Sequence, residues 1–137
     1  ATAGLLPPGV AGRRPLFDQL IVNSYREGQG IGRHIDLLKF DDGVLGVCLG
    51  SARATMRLRR IKVGREVRSG DECRLYEDDL EGDPIDIDLC PGDVYALCGE
   101  ARYRWTHEIP AASLSGGPRR LSLTLRRLMP DPSLISA

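Results

Sequence analysis

Histidine is nearly absent: the 137 residues hold two, His34 and His107. Any metal or proton-transfer chemistry built on imidazole must draw on those two positions. The four cysteines, Cys48, Cys73, Cys90 and Cys98, form no CxxC or other close pair, which argues against zinc-ribbon and disulfide frameworks. They read as buried or free thiols, three of them inside apolar segments where a thiol behaves as a small hydrophobe. No apolar run approaches the ~20 residues that cross a bilayer. Residues 1–15 lack a basic stretch followed by an apolar one, so no signal peptide is expected, and the expected compartment is intracellular, cytoplasmic or nuclear. Nineteen basic and nineteen acidic residues cancel, so the chain as a whole lacks the basic footprint of a nucleic-acid binder. Lysine is also scarce: Lys39 and Lys62 leave seventeen arginines among the nineteen basic residues, and arginine is the side chain suited to bidentate contact with carboxylate or phosphate.

What is present suits one compact, all-β domain. Short apolar runs alternate with turn residues, and no helical period persists beyond a turn or two. Residues 17–25 form a β-branched run ending at the Gly28-containing turn. Residues 44–49 read as a buried strand, and Ala54, Met56 and Leu58 alternate against Thr55, Arg57 and Arg59. Ile85, Ile87 and Leu89 alternate against Asp86 and Asp88, and Leu121, Leu123 and Leu125 against Arg120, Ser122, Thr124 and Arg126. Strands at this spacing predict two sheets packed as a sandwich or jelly roll. Residues 61–83 are polar and irregular, with arginines followed by acids, and read as a solvated charged hairpin or loop that cannot supply a core. The tail from Pro130 is expected to fray.

His34-Ile35-Asp36 follows the glycine turn, and in extended chain residues two apart project to one side. An imidazole and a carboxylate can then face a common point, and His107 is the remaining histidine. Two histidines and one carboxylate on one face of an octahedral iron leave positions open for a bidentate oxoacid and dioxygen.

The surrounding residues resemble the AlkB family of Fe(II)- and 2-oxoglutarate-dependent dioxygenases, in blocks that follow the family's order. These are Asn23-Ser24-Tyr25; Gly28-Gln29-Gly30-Ile31 with His34-Ile35-Asp36; Leu49-Gly50-Ser51; Pro91-Gly92-Asp93 with Leu97, Gly99, Arg102-Tyr103, Trp105 and His107; and Arg120-Leu121-Ser122-Leu123-Thr124-Leu125-Arg126. The resemblance implies a double-stranded β-helix, a cupin-like jelly roll, over residues 17–128, between an irregular segment 1–16 and a tail 129–137. It implies that His34, Asp36 and His107 hold Fe(II), and that Asn23, Tyr25, Arg120, Ser122 and Arg126 hold 2-oxoglutarate. The two arginines stand on the polar face of one strand, as a dicarboxylate requires. Tyr103 and Trp105 are expected to pack around His107. The implied reaction couples O2-dependent decarboxylation of 2-oxoglutarate to hydroxylation of a C–H bond; on an N-methyl group the product falls apart to formaldehyde and the demethylated base.

Two features depart from the family. Glu108 stands where many members have glycine after the last metal histidine, and the blocks do not include the N-terminal lid segment that members place over the substrate base. The wording of the blocks is nearer the branch that hydroxylates a modified wobble uridine of tRNA, so RNA is expected before DNA. A protein hydroxylase or demethylase is the alternative. Complete metal and cosubstrate sets argue against a non-catalytic barrel. No membrane partner is expected, and the expected state is a monomer.

Overall fold

A computed structural model describes residues 4–62 and 64–130; of the tail expected to fray, residues 131–137 lie outside the described residues. Ten strands carry the architecture: β1 (Gln19–Arg26), β2 (Ile31–His34), β3 (Val44–Gly50), β4 (Ala54–Ile61), β5 (Glu66–Ser69), β6 (Glu72–Leu75), β7 (Leu80–Leu89), β8 (Val94–Leu97), β9 (Trp105–Ile109) and β10 (Arg119–Arg126). Two helices of four residues each, α1 (Pro8–Ala11) and α2 (Glu100–Tyr103), complete the fold, together with a 3-10 turn at Ala111–Ser113. One antiparallel sheet has the order β1-β10-β3-β8, and the other β2-β9-β4-β7. Two facing four-stranded sheets joined by crossing connections are the expected jelly roll. No helix among the described residues is long and apolar enough to cross a membrane.

The first sheet is inverted with respect to polarity. Its register places Leu20, Val22, Leu125, Leu123, Leu121, Leu45, Val47, Leu49, Ala96 and Val94 on one face. The opposite face carries Asn23, Tyr25, Arg120, Ser122, Thr124 and Arg126, and it is this polar face that turns toward the second sheet. Arg120 is 1% exposed, whereas Leu20 and Val22 are 54% and 58% exposed. The alternation along β10 is as read from the sequence, with Arg120 and Arg126 facing inward and the half-buried Leu121, Leu123 and Leu125 facing outward.

Between the sheets, Tyr25, Cys48, Ala52, Ala54, Met56, Leu58, Leu89, Ile109 and Leu114 form the main core, with Tyr95 and Trp105 packed on it. Ile85 and Ile87 share the inward side of β7 with Leu89, yet both are exposed, on an edge strand of the sheet.

The charged insert is in part the expected hairpin, but it also supplies core. It contains the β5–β6 hairpin, and its Leu75 is buried with Ile35 and Ile61 in a second core, bordered by Leu38, Leu80 and Tyr103. Nor is segment 1–16 wholly irregular: α1 buries Val10 against Gly43, where an added Cβ would collide with the valine, and Leu6 is also buried. All four cysteines are free, but only Cys48 is buried.

Candidate active site

His34 ends β2 and His107 lies directly across from it on β9, so the ladder itself brings the two rings together, with centroids 4.3 Å apart. Asp36 sits two residues beyond His34 on the same side. Its Oδ1 lies 3.5 Å from Nε2 of each histidine, and the three donor atoms all fall within 4.8 Å of one another. Two atoms bound at right angles to one metal, each roughly 2.1 Å from it, lie roughly 3 Å apart. The trio is therefore close to what a divalent cation would draw together, and its donor chemistry fits Fe(II).

The electrostatics suit metal capture. Burial opposes ionisation of Asp36, but the hydrogen bond to His34 and the neighbouring His107 and Arg126 hold its carboxyl well below the usual range. Burial and the neighbouring His34 bring His107 down to about 4, leaving it neutral and ready to ligate. His34 moves the other way: burial lowers it, but Asp36, the Gly32 carbonyl and Glu77 more than offset that.

Beside the trio lies a cavity of about 110 Å³ whose walls include Asn23, Tyr25, Arg120, Ser122, Thr124, Arg126 and Tyr95. All eight residues singled out from the sequence thus line one cavity. Arg126 donates to Asp36 Oδ2 at 3.1 Å and to Gln19 Oε1 at 2.9 Å, and its guanidinium lies 3.7 Å from the centre of the Phe40 ring. Arg120 is held differently. Among the described residues, its Nη2 reaches only Cys48 Sγ, at 3.7 Å, and its Nε is buried without a hydrogen-bond partner. A buried cation left short of acceptors, facing a cavity, fits a ligand that brings a carboxylate.

Sequence reasoning missed Tyr95. Its ring lies over Gly46, where an added Cβ would fall onto it, and burial pushes its hydroxyl up to about 12. A glycine inside the apolar run of β3 was the available signal. Trp105 packs on the main core and Tyr103 on the second. Arg57 and Arg60 lie along β4, ion-paired with Asp86 at 2.8 Å and with Glu81 at 3.5 Å.

Comparison with known proteins agrees with this geometry. Residues 12–126 match the model of the 2OG-Fe(II) oxygenase superfamily. The chain is 32% identical over 129 residues to the Arabidopsis thaliana "Alkylated DNA repair protein ALKBH8 homolog", covering 85% of this chain and 36% of the relative. It is 31% identical over 106 residues to the mouse "tRNA (carboxymethyluridine(34)-5-O)-methyltransferase ALKBH8", covering 77% of this chain and 13% of that one. The X-ray structure of E. coli ycfD superposes with a TM-score of 0.52 at 23% identity, over 88% of this chain and 28% of that chain, which shows a shared fold. The chain spans about a third of the length of the Arabidopsis relative, and less of the mouse one. With the match covering most of its length, the chain belongs to the 2OG-Fe(II) oxygenase superfamily and, by its ALKBH8 relatives, to the AlkB family of dioxygenases that use Fe(II), 2-oxoglutarate and O2.

Proposed function

We propose that this domain oxidises modified RNA, tRNA in particular, with His34, Asp36 and His107 holding Fe(II) and Asn23, Tyr25, Arg120, Ser122 and Arg126 holding 2-oxoglutarate. The observation that carries the reading is the convergence of three metal-type donors and two arginines on one cavity. The preference for tRNA is supported by the mouse relative, named for a tRNA uridine modification, and by the wording of the motif blocks; the Arabidopsis relative is named for DNA repair.

When bound, Fe(II) and 2-oxoglutarate supply an oxidant: O2 is consumed, 2-oxoglutarate becomes succinate and CO2, and a substrate C–H becomes C–OH. The residues' contribution is positioning and charge. Arg120 offers a buried cation to one end of the dicarboxylate, in a cavity that Tyr25 and Tyr95 also line. Arg126 neutralises Asp36 from the side away from the histidines, keeping that carboxylate ionised and fixed. The apolar side chains Ile21, Val44, Met56 and Leu97 around them limit water in the cavity, which strengthens each charge interaction.

A protein substrate is the second reading. It is favoured by the pairing of Arg57 and Arg60 with acids of β7, which leaves those cations less available to phosphates. The test is succinate release by anaerobically iron-loaded protein after air is admitted, with tRNA, methylated RNA, alkylated DNA and a no-substrate control. Stimulation by tRNA above the other substrates is the expected result. Stimulation by alkylated DNA alone would reverse the preference.

A further inference from the structure

The segment bearing Asp36 has no ladder of its own. β2 ends at His34, and residues 35–37 run on outside any strand or turn. Their backbone groups must find partners elsewhere. Ile35 N–H, between the two ligands, donates to Glu77 Oε2 at 2.7 Å, and Leu38 N–H donates to the Cys73 carbonyl at 2.9 Å. Both acceptors belong to the charged insert.

From the other side, Arg102 of α2 donates to the carbonyls of Asp36, Leu37 and Phe40 at 3.0, 2.9 and 2.8 Å. It is 2% exposed and lies over the Tyr103 ring. The Ile35 side chain points into the second core against Leu75 and Ile61. An anion thus holds a donor of the segment, and a cation holds three of its acceptors. Between them the Asp36 carboxylate is left aimed at His34 and His107. Arg33 fastens the anchor in turn, donating to the Glu77 carbonyl and pairing with Asp78.

We propose that Glu77 and Arg102 are positioning residues that clamp the metal-binding segment, so that the charged insert sets metal affinity. The inference rests on reading His34, Asp36 and His107 as ligands. Groups that orient metal ligands from outside the coordination sphere alter affinity roughly 10- to 100-fold when removed.

The test is a Co(II) titration, followed by visible absorption, on the parent and on Glu77→Ala, Glu77→Gln, Arg102→Lys and a control, Leu89→Ala, whose side chain is 3% exposed in the main core. Unfolding of each metal-free protein is recorded alongside. Glu77→Ala should bind Co(II) about 10- to 100-fold more weakly. Glu77→Gln, which keeps an acceptor for the Ile35 N–H, should recover most of that loss. Arg102→Lys cannot span three carbonyls and should stay weakened, while Leu89→Ala should lower stability and keep affinity. Parent-like binding by both Glu77→Ala and Arg102→Lys would overturn the clamp. So would an equal loss in Leu89→Ala, since it would trace the effect to general destabilisation. A parent that binds no Co(II) would overturn the ligand assignment itself, and with it the clamp.

Discussion

Replacing Arg120 with methionine should make the metal-free protein more stable and the cosubstrate site useless. The side chain is 1% exposed, and among the described residues its Nε has no partner and its one hydrogen-bond contact is to a thiol at 3.7 Å. Desolvating a guanidinium costs several kcal/mol, and exchanging buried charges for apolar groups of similar volume is often neutral or stabilising by about 1–4 kcal/mol. Arg120→Met should therefore raise the unfolding free energy by about 1–2 kcal/mol, read from denaturant unfolding of metal-free protein. Removing one partner of a buried charge pair costs binding about 2–5 kcal/mol. At about 1.4 kcal/mol per tenfold, 2-oxoglutarate should bind from roughly thirtyfold to several-thousandfold more weakly. Calorimetric titration of 2-oxoglutarate into Co(II)-loaded protein measures this directly. Arg126→Met is the contrast. It removes the partner that sits 3.1 Å from Asp36, so it should weaken both folding and cosubstrate binding. Parent-like affinity in Arg120→Met would refute the cosubstrate assignment, and a large loss of metal-free stability would refute the claim that this cation is strained without its ligand.

Metal affinity should depend on pH with a single-proton slope. Asp36 is ionised and His107 neutral above about 5, so only His34, whose pKa is raised, competes with the metal there. Co(II) affinity should fall about tenfold per pH unit below the His34 pKa; a slope near two would show that His107 also carries a proton. Gly46→Ala drives a methyl into the Tyr95 ring and should cost about 1–3 kcal/mol of stability in thermal unfolding while weakening 2-oxoglutarate binding. Unchanged stability would mean that the ring moves freely. His34→Ala should abolish Co(II) binding and succinate production with little loss of fold by circular dichroism. Succinate production at the parent level would remove His34 from the ligand set.

The trio of His34, Asp36 and His107 was legible because its spacing is local or unique: an H-x-D in extended chain, and one other histidine. Arg120 and Arg126 were legible as a face, since alternation has a fixed period. Alternation does not say which face is inward, and that is decided by the partner sheet; the leucines of β10 are the example. Ile85 and Ile87 show the related ambiguity of an edge, where inward-facing residues stay wet. The roles of Tyr95 and Arg102 were harder to read, for a different reason. Tyr95 depends on Gly46, its cross-strand partner, and Arg102 on carbonyls 62 to 66 residues earlier in the chain. Glu77 looked like one acid among many until the hairpin placed it under Ile35.

The inverted first sheet also governs how this chain should behave in a test tube. Leu20, Val22, Leu49 and Val94 present an oily wall to solvent, with Arg26 and Arg119 wetting one end of it, while Arg120 and Arg126 face inward. Ammonium sulfate, which strengthens apolar association, should salt the domain out early, and a fluorescent dye that seeks greasy surfaces should light up on the fully folded protein, with no unfolding to expose anything.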